Sequence, residues 1–374
     1  MGTPKKGRTM RTALVTFDGY GYFSQSLIKG LLRASDDVTA FAPLQMKEAL
    51  GKNIEDGNDR VLYFRKPRMR YPSNLWMIKR LVGRIESLQP EVVHLNGYYP
   101  WMYFGLRWLS KYPLVLTAHD LGKHPGDLQS RFTPGSDGWF IKHATRVIVM
   151  GEKMRKAAID DWALDSSSVD VILHGNAHDF LKWADPMMEE QGNTVLFFGR
   201  IFEYKGLEYL VEAEPIVRKQ IPDARFVIAG RGSDKYLEKI KSRIVHPEAF
   251  HFINEYVPDA TVARLYQQAS LVVLPYVAGT QSGPLLLGYT FGKPVVVTNV
   301  GSLPEYVAHG ETGYVVPPRD PEALADRIMC LLKDGKARRE MGEAGFRMSS
   351  EKLSWQVLAK DYLKVYEKAC ATFA

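Results

Sequence analysis

A chain of 374 residues is too long for one ordinary hydrophobic core, so two domains are expected. Hydrophobic residues make up 45% and charged residues 24%, which excludes a disordered chain; the two cysteines, Cys330 and Cys370, exclude a disulfide framework and suit a reducing, cytosolic compartment. The net charge of +7 resides in residues 1–100, which hold 16 Lys and Arg against 9 Asp and Glu, and this points to an anionic partner for the first domain.

The first eleven residues are short and polar and lack the apolar core of a signal peptide. No run approaches the roughly 18 apolar residues needed to span a bilayer. Strand-length apolar runs rich in β-branched residues follow at 12–17, 38–41, 61–64, 92–95, 114–117, 146–150 and 169–173. Helical stretches separate most of them. Gly175–Asn193, with Pro186 and no clear periodicity, reads as a linker. A second series of strands lies at 194–198, 225–229, 249–253, 271–274, 294–298 and 313–316. The end is helical, over 321–332, 336–348 and 354–371. Runs apolar along their whole length suit strands buried on both faces of a parallel sheet, and alternation with helices predicts an α/β architecture. Ligands of such sheets sit outside the carboxyl ends of the strands, so the residues there carry the functional reading.

The run 194–198 ends in Gly199 and Arg200, and Lys205 and Gly206 follow just before a helix. Arg supplies a planar fork for phosphate oxygens, Lys a point charge, and the helix N-terminus oriented N–H groups, so these residues form a candidate diphosphate clamp. The bland alternative is a solvated loop with two surface cations. Gly230 and Arg231 follow the next strand in a glycine turn that suits close backbone approach to a ligand. After 271–274 the stretch Gln281, Ser282, Gly283, Pro284 and Leu285 places small and polar residues before another helix, a cradle for an anion or hydroxyl groups. Glu305 is either a ligand for the donor or a helix-capping acid.

This order of motifs resembles glycosyltransferase family 4, a family of retaining GT-B glycosyltransferases. Gly199-Arg200 with Lys205-Gly206 carries the likeness, with Pro275 to Pro294, Gly301 to Glu305, Gly310 to Val316, Ser354-Trp355, Thr117-Ala118-His119-Asp120 and His174-Gly175. The resemblance implies two facing Rossmann-like doubly wound domains around a central cleft, with the last helix crossing back to the first domain. The implied boundaries are 1–185 for the acceptor domain, joined by about 354–374, and 186–353 for the donor domain. It implies a nucleotide-diphosphate sugar as co-substrate, with Arg200 and Lys205 stabilising the leaving diphosphate. His119 would face the donor sugar, and Gly19 and Gly21 would form the loop that meets acceptor or phosphate. No Asp-x-Asp motif is present, so no metal is expected and the two cations replace it.

One departure stands out. The family's Glu, seven residues, Glu pattern falls here on Gly279 and Leu287, neither acidic. Ser282, Gly283 and Gln281 are expected to take over sugar contacts, and a non-catalytic scaffold of the same fold, or a nucleotide-sugar epimerase, remains an alternative.

Residues 60–84 hold Arg60, Arg65, Lys66, Arg68, Arg70, Lys79, Arg80 and Arg84 with Tyr63, Phe64, Met69, Tyr71, Leu75, Trp76, Met77 and Ile78 interleaved, and no acid. Cations with aromatics suit an anionic membrane surface. The expectation is peripheral association with the inner face of the cell membrane, a lipid-linked or envelope-glycan acceptor, and no nucleic-acid partner. The bland alternative is a solvated helix face.

Overall fold

The computed structural model describes residues 10–17, 21–51, 58–66, 71, 73–119 and 136–373. Among these, residues 10–119, 136–175 and 354–373 form one compact unit and residues 176–353 a second.

In the first unit strands alternate with helices in chain order: β1 (Thr12–Thr16), α1 (Tyr22–Ala34), β2 (Val38–Pro43), α2 (Lys47–Gly51), β3 (Val61–Phe64), α3 (Asn74–Glu86), β4 (Val92–Asn96), α4 (Met102–Leu109), β5 (Leu114–Thr117), α5 (Ser136–His143), β6 (Arg146–Val149), α6 (Glu152–Trp162) and β7 (Val169–Val171). The sheet runs β3-β2-β1-β4-β5-β6-β7, and every pairing is parallel. β1, β4, β5 and β6 are buried at every position, including the polar His94, Asn96 and Arg146 within them.

The second unit repeats the pattern: β8 (Thr194–Phe198), α7 (Leu207–Gln220), β9 (Arg225–Ala229), α8 (Asp234–Lys241), β10 (Phe250–Ile253), α9 (Asp259–Gln268), β11 (Leu271–Leu274), α10 (Gly283–Thr290), β12 (Val295–Thr298), β13 (Gly313–Val316), α11 (Pro321–Lys333) and α12 (Gly335–Glu351). Its parallel sheet runs β10-β9-β8-β11-β12-β13. Both sheets thus reverse direction beside their first strand, at β1/β4 and at β8/β11. Helices leave the two strands of such a pair on opposite faces, which opens a crevice at their carboxyl ends.

The last helix, α13 (Trp355–Phe373), returns to the first unit and packs on α1. Leu358, Ala359, Tyr362, Val365, Tyr366 and Ala369 are buried in the first unit's core. The division between units falls at Gly175–Asn176, ten residues before the expected boundary after residue 185. Packing explains the difference. His178–Trp183 is a 3-10 helix rather than a linker, Phe180 is buried, the Asn176 amide donates to the Leu353 carbonyl at 2.7 Å, and His178 stacks on Phe346 at 5.1 Å. Among the described residues no helix is long and apolar enough to cross a membrane.

Candidate functional site

The carboxyl edge of the second sheet is assembled from four loops that lock together through backbone contacts. Gly230 lies so close to Gly199 that a side-chain carbon there would sit 2.0 Å from the Gly199 carbonyl oxygen, which only glycine permits. Ile201 N–H donates to the Arg231 carbonyl at 3.2 Å, while the Arg231 side chain is exposed. The loop after β8 is tied to the one after β11 by Val277 N–H donating to the Tyr204 carbonyl at 3.0 Å. Ser302 N–H donates to the Thr280 carbonyl at 2.8 Å and joins the loop after β12.

Arg200 and Lys205 converge on this edge. Both approach the Tyr204 ring, with the Arg200 guanidinium carbon 5.9 Å and Lys205 Nζ 4.8 Å from its centroid. Lys205 is only 9% exposed, and its ammonium lies 3.6 Å from the centroid of the buried Tyr276 ring. The negative ring face offsets part of the cost of removing the ammonium from water. The Tyr276 hydroxyl in turn meets Ser282 Oγ at 3.0 Å, and burial pushes its acidity well below that of an ordinary phenol. The edge therefore carries two cations side by side, one of them largely buried.

The expected cradle at α10 is narrower than the sequence suggests. Gly283 opens the helix, so its N–H has no carbonyl one turn back to bond. Pro284 has no N–H. Leu285 gives its own to the Ser282 carbonyl at 3.2 Å and buries its side chain in the core, so it offers a ligand neither group. The Ser282 hydroxyl is buried and engaged by Tyr276, which fixes its place beside the start of the helix. Gln281 Oε1, by contrast, is buried with no hydrogen-bond partner among the described residues, and so is Ser302 Oγ, a residue the sequence reasoning passed over. A buried polar atom left unsatisfied is rare and marks a position where a ligand group fits. The signal in the sequence was a serine directly after the turn glycine Gly301. Glu305 lies half-buried in the 3-10 helix Leu303–Tyr306, its N–H bonded to the Ser302 carbonyl at 3.0 Å. Of the two positions that lack the family's acids, Gly279 adopts φ +146° and Leu287 is 2% exposed in α10.

In the first unit the register sets Thr16, Asn96 and Thr117 level at the carboxyl edge. His119 follows two residues later and is buried. Its Nε2 is 2.8 Å from Asn96 Oδ1, while Asn96 Nδ2 donates to Ser24 Oγ at 3.0 Å and Thr16 Oγ1 donates to the same oxygen at 3.2 Å. Asn96 therefore accepts from His119, whose Nε2 carries the proton and whose Nδ1 does not. The Phe23 ring stands edge-on to His119 at 4.6 Å and to His174 at 4.7 Å. Burial, aided by His174 and His94, holds His119 well below the ordinary histidine range; burial lowers His174 to about 4. Both rings are neutral at pH 7. Ser24 and Asn96 were missed in the sequence, although an asparagine ending a fully buried strand calls for a partner. Gly21 caps α1 with φ +48°; Gly19 and Asp120 lie outside the described residues.

The basic stretch 60–84 divides. Arg60 does not face outward as a surface cation. It donates to the Ser35 carbonyl at 2.7 Å and the Leu32 carbonyl at 2.9 Å, closing the C-terminal end of α1. Lys79 and Arg80 on α3 are exposed, as are Tyr71, Leu75 and Trp76, and Trp76 is 64% exposed. Exposed Tyr103, Phe104 and Trp108 of the neighbouring α4 add to this face. Arg68, Met69 and Arg70 lie outside the described residues.

Comparison with known proteins agrees with this arrangement. A family model described as Glycosyltransferase Family 4 matches residues 17–179, and one described as Glycosyl transferases group 1 matches residues 192–334. The chain is 29% identical over 299 residues to an uncharacterized glycosyltransferase of Methanocaldococcus jannaschii, covering 75% of each. It is 32% identical over 178 residues to the phosphatidyl-myo-inositol mannosyltransferase of Mycobacterium leprae, covering 47% of this chain and 46% of that protein. Among solved structures, HepE of Anabaena in complex with UDP and glucose shares the fold at 16% identity, with a TM-score of 0.73 over 96% of this chain and all of that one. With one model matching each unit, on two sheets wound in the same order, the chain belongs to the family 4-like GT-B glycosyltransferases, which use nucleotide-sugar donors.

Proposed function

We propose that this protein moves a hexose from a nucleotide-diphosphate sugar to an acceptor with retention at the anomeric carbon and without a metal ion. The observation that carries the reading is the pair of cations, Arg200 and Lys205, gathered around one tyrosine ring at the β8/β11 switch point. As the bond from the anomeric carbon to the diphosphate breaks, negative charge grows on the leaving oxygens. Fixed cations in a partly buried site stabilise that charge without having to reorganise. Gly199, Gly230 and the Gly283 amide bring backbone to the phosphates, Arg231 borders them, and Glu305 holds the donor's ribose or base. Gln281 Oε1 and Ser302 Oγ accept sugar hydroxyls in place of the two missing acids, and Pro284 shapes the wall beside them. His119, fixed by Asn96, presents a neutral ring to the sugar, and the loop of Gly19 and Gly21 meets the acceptor.

We further propose a lipid-linked or envelope-glycan acceptor and peripheral association with an anionic membrane through α3 and α4. The name of the Mycobacterium leprae relative, which refers to a phosphatidyl lipid, and the exposed Trp76, Lys79 and Arg80 support this. Each cation near such a surface contributes on the order of 1 kcal/mol, and pelleting with anionic vesicles at low salt tests it.

A melting-point panel of nucleoside diphosphates tests the donor site. One nucleotide is expected to stabilise the wild type and leave the Arg200→Ala, Lys205→Ala variant unmoved. Each single replacement is expected to slow transfer roughly 10- to 100-fold, given about 1.5–3 kcal/mol for a charge-assisted bond. Unchanged turnover in Arg200→Ala overturns the assignment.

A further inference from the structure

β3 is the edge strand of the first sheet, and a cavity of about 450 Å³ lies between it and α3. Tyr63, Arg65, Trp76, Arg80 and Arg84 line it, with three guanidinium groups and, among the described residues, no acid. The single acid of α3, Glu86, is turned to Lys111 instead, at 2.6 Å. Like charges facing one space are unfavourable unless an anion joins them.

The cavity is also built rather than merely charged. Arg84 Nη1 donates to the Tyr63 carbonyl at 2.9 Å and its guanidinium carbon lies 5.8 Å from the Phe41 ring, so this fork is held in place. The Arg80 guanidinium carbon lies 5.6 Å from the Trp76 ring. The Tyr63 hydroxyl is buried and has no hydrogen-bond partner among the described residues. Three planar forks around one space match a tetrahedral oxyanion with several acceptor oxygens. The volume exceeds what a phosphate alone fills and leaves room for a polyol or sugar ring against Trp76.

We propose that this cavity binds a phosphate group, as monoester or diester, carried by the acceptor. The proposal rests on the reading above only in taking the first unit as the acceptor side. The phosphate can belong to a soluble phosphorylated polyol or to a lipid headgroup, and the chemistry that recognises it is the same.

The test uses the full chain carrying Arg200→Ala and Lys205→Ala, so that phosphate at the donor site is not read. Glycerol 3-phosphate and inorganic phosphate are titrated by calorimetry at constant ionic strength, and phosphatidylcholine vesicles with and without phosphatidylglycerol are pelleted in parallel. Saturable binding of the small phosphates assigns a soluble source. Binding to the phosphatidylglycerol vesicles alone assigns a lipid one. In either case Arg65→Gln with Arg80→Gln, both exposed positions, is expected to weaken binding at least about tenfold. Arg84 is left intact because it holds the β3 backbone. Arg65→Lys with Arg80→Lys gives a second readout: it keeps the charge and loses the planar forks, and is expected to weaken binding of the small phosphates several-fold. No binding in any arm, or equal binding by the Arg65→Gln, Arg80→Gln variant, overturns the proposal. The nucleotide-dependent shift of the otherwise wild-type protein is read separately, so loss of one reading leaves the other standing.

Discussion

At the scale of single residues, the carboxyl edge of the second sheet shows what a sequence reveals and what only packing decides. Arg200 and Lys205 were legible because a strand, a glycine, two cations and a helix follow one another in the chain. The partner of the Ser282 hydroxyl was not legible, because it depends on a ring six residues away, Tyr276, turning toward it. The unsatisfied oxygens of Gln281 and Ser302 were hidden for the same reason. The missing acids carry a sharper lesson. Gly279 at φ +146° occupies backbone that side chains rarely adopt, and Leu287 fills core. Restoring the family pattern with Gly279→Glu and Leu287→Glu is therefore expected to cost stability rather than recover function. Strained backbone costs about 1–3 kcal/mol, and an unpaired buried carboxylate adds to it. Denaturant unfolding of the single and double variants measures this, and a double variant as stable as wild type with raised turnover contradicts it.

Among the elements, the thirteen strands of the described residues were readable from apolar runs, most plainly β5, β11 and β12, which are buried at every position. The segment after Gly175 was not. Its helix, His178–Trp183, is short and follows no clear period, and contacts with α9, α10 and α12 assign it to the second unit. The place of α13 came from the resemblance, and the structure supplies the reason. The Trp355 ring lies against Gly175, so close that a side-chain carbon at 175 would sit 2.3 Å from the indole, and Trp355 also packs on Gly30. Gly175→Ala is expected to force the rigid indole out and to lower stability by about 1–3 kcal/mol, the usual range for overpacking. Adding Trp355→Leu is expected to recover part of the loss, because residues in contact are not additive. A melting curve identical to wild type for Gly175→Ala contradicts the fit.

For the molecule as a whole, two sheets of the same winding were legible, and the buried polar centre of the first was not. His94 bonds Tyr366 of α13 and Thr117 of β5, each at 2.8 Å, and burial lowers it to about 3. With His119 and His174 it stays neutral in the folded chain, whereas histidines of the unfolded chain take up protons near pH 6.5. The unfolded state then binds more protons, so stability is full above about pH 7 and falls as pH drops through 6.5 toward 4. The expected slope is at most about 1.4 kcal/mol per pH unit for each histidine. Urea unfolding at pH 7, 6 and 5 reads it, and His94→Gln is expected to remove about a third; an unchanged slope counts against the assignment. The return of α13 to the first unit also has a meaning in time. Six core positions of that unit lie beyond residue 353, so a ribosome finishes the second unit before the first can close. At about 5–20 residues per second, the open apolar face waits on the order of ten to thirty-five seconds. A nascent chain stalled between residues 175 and 354 is a natural client for a chaperone, and a stop codon before residue 355 disables the domain made first.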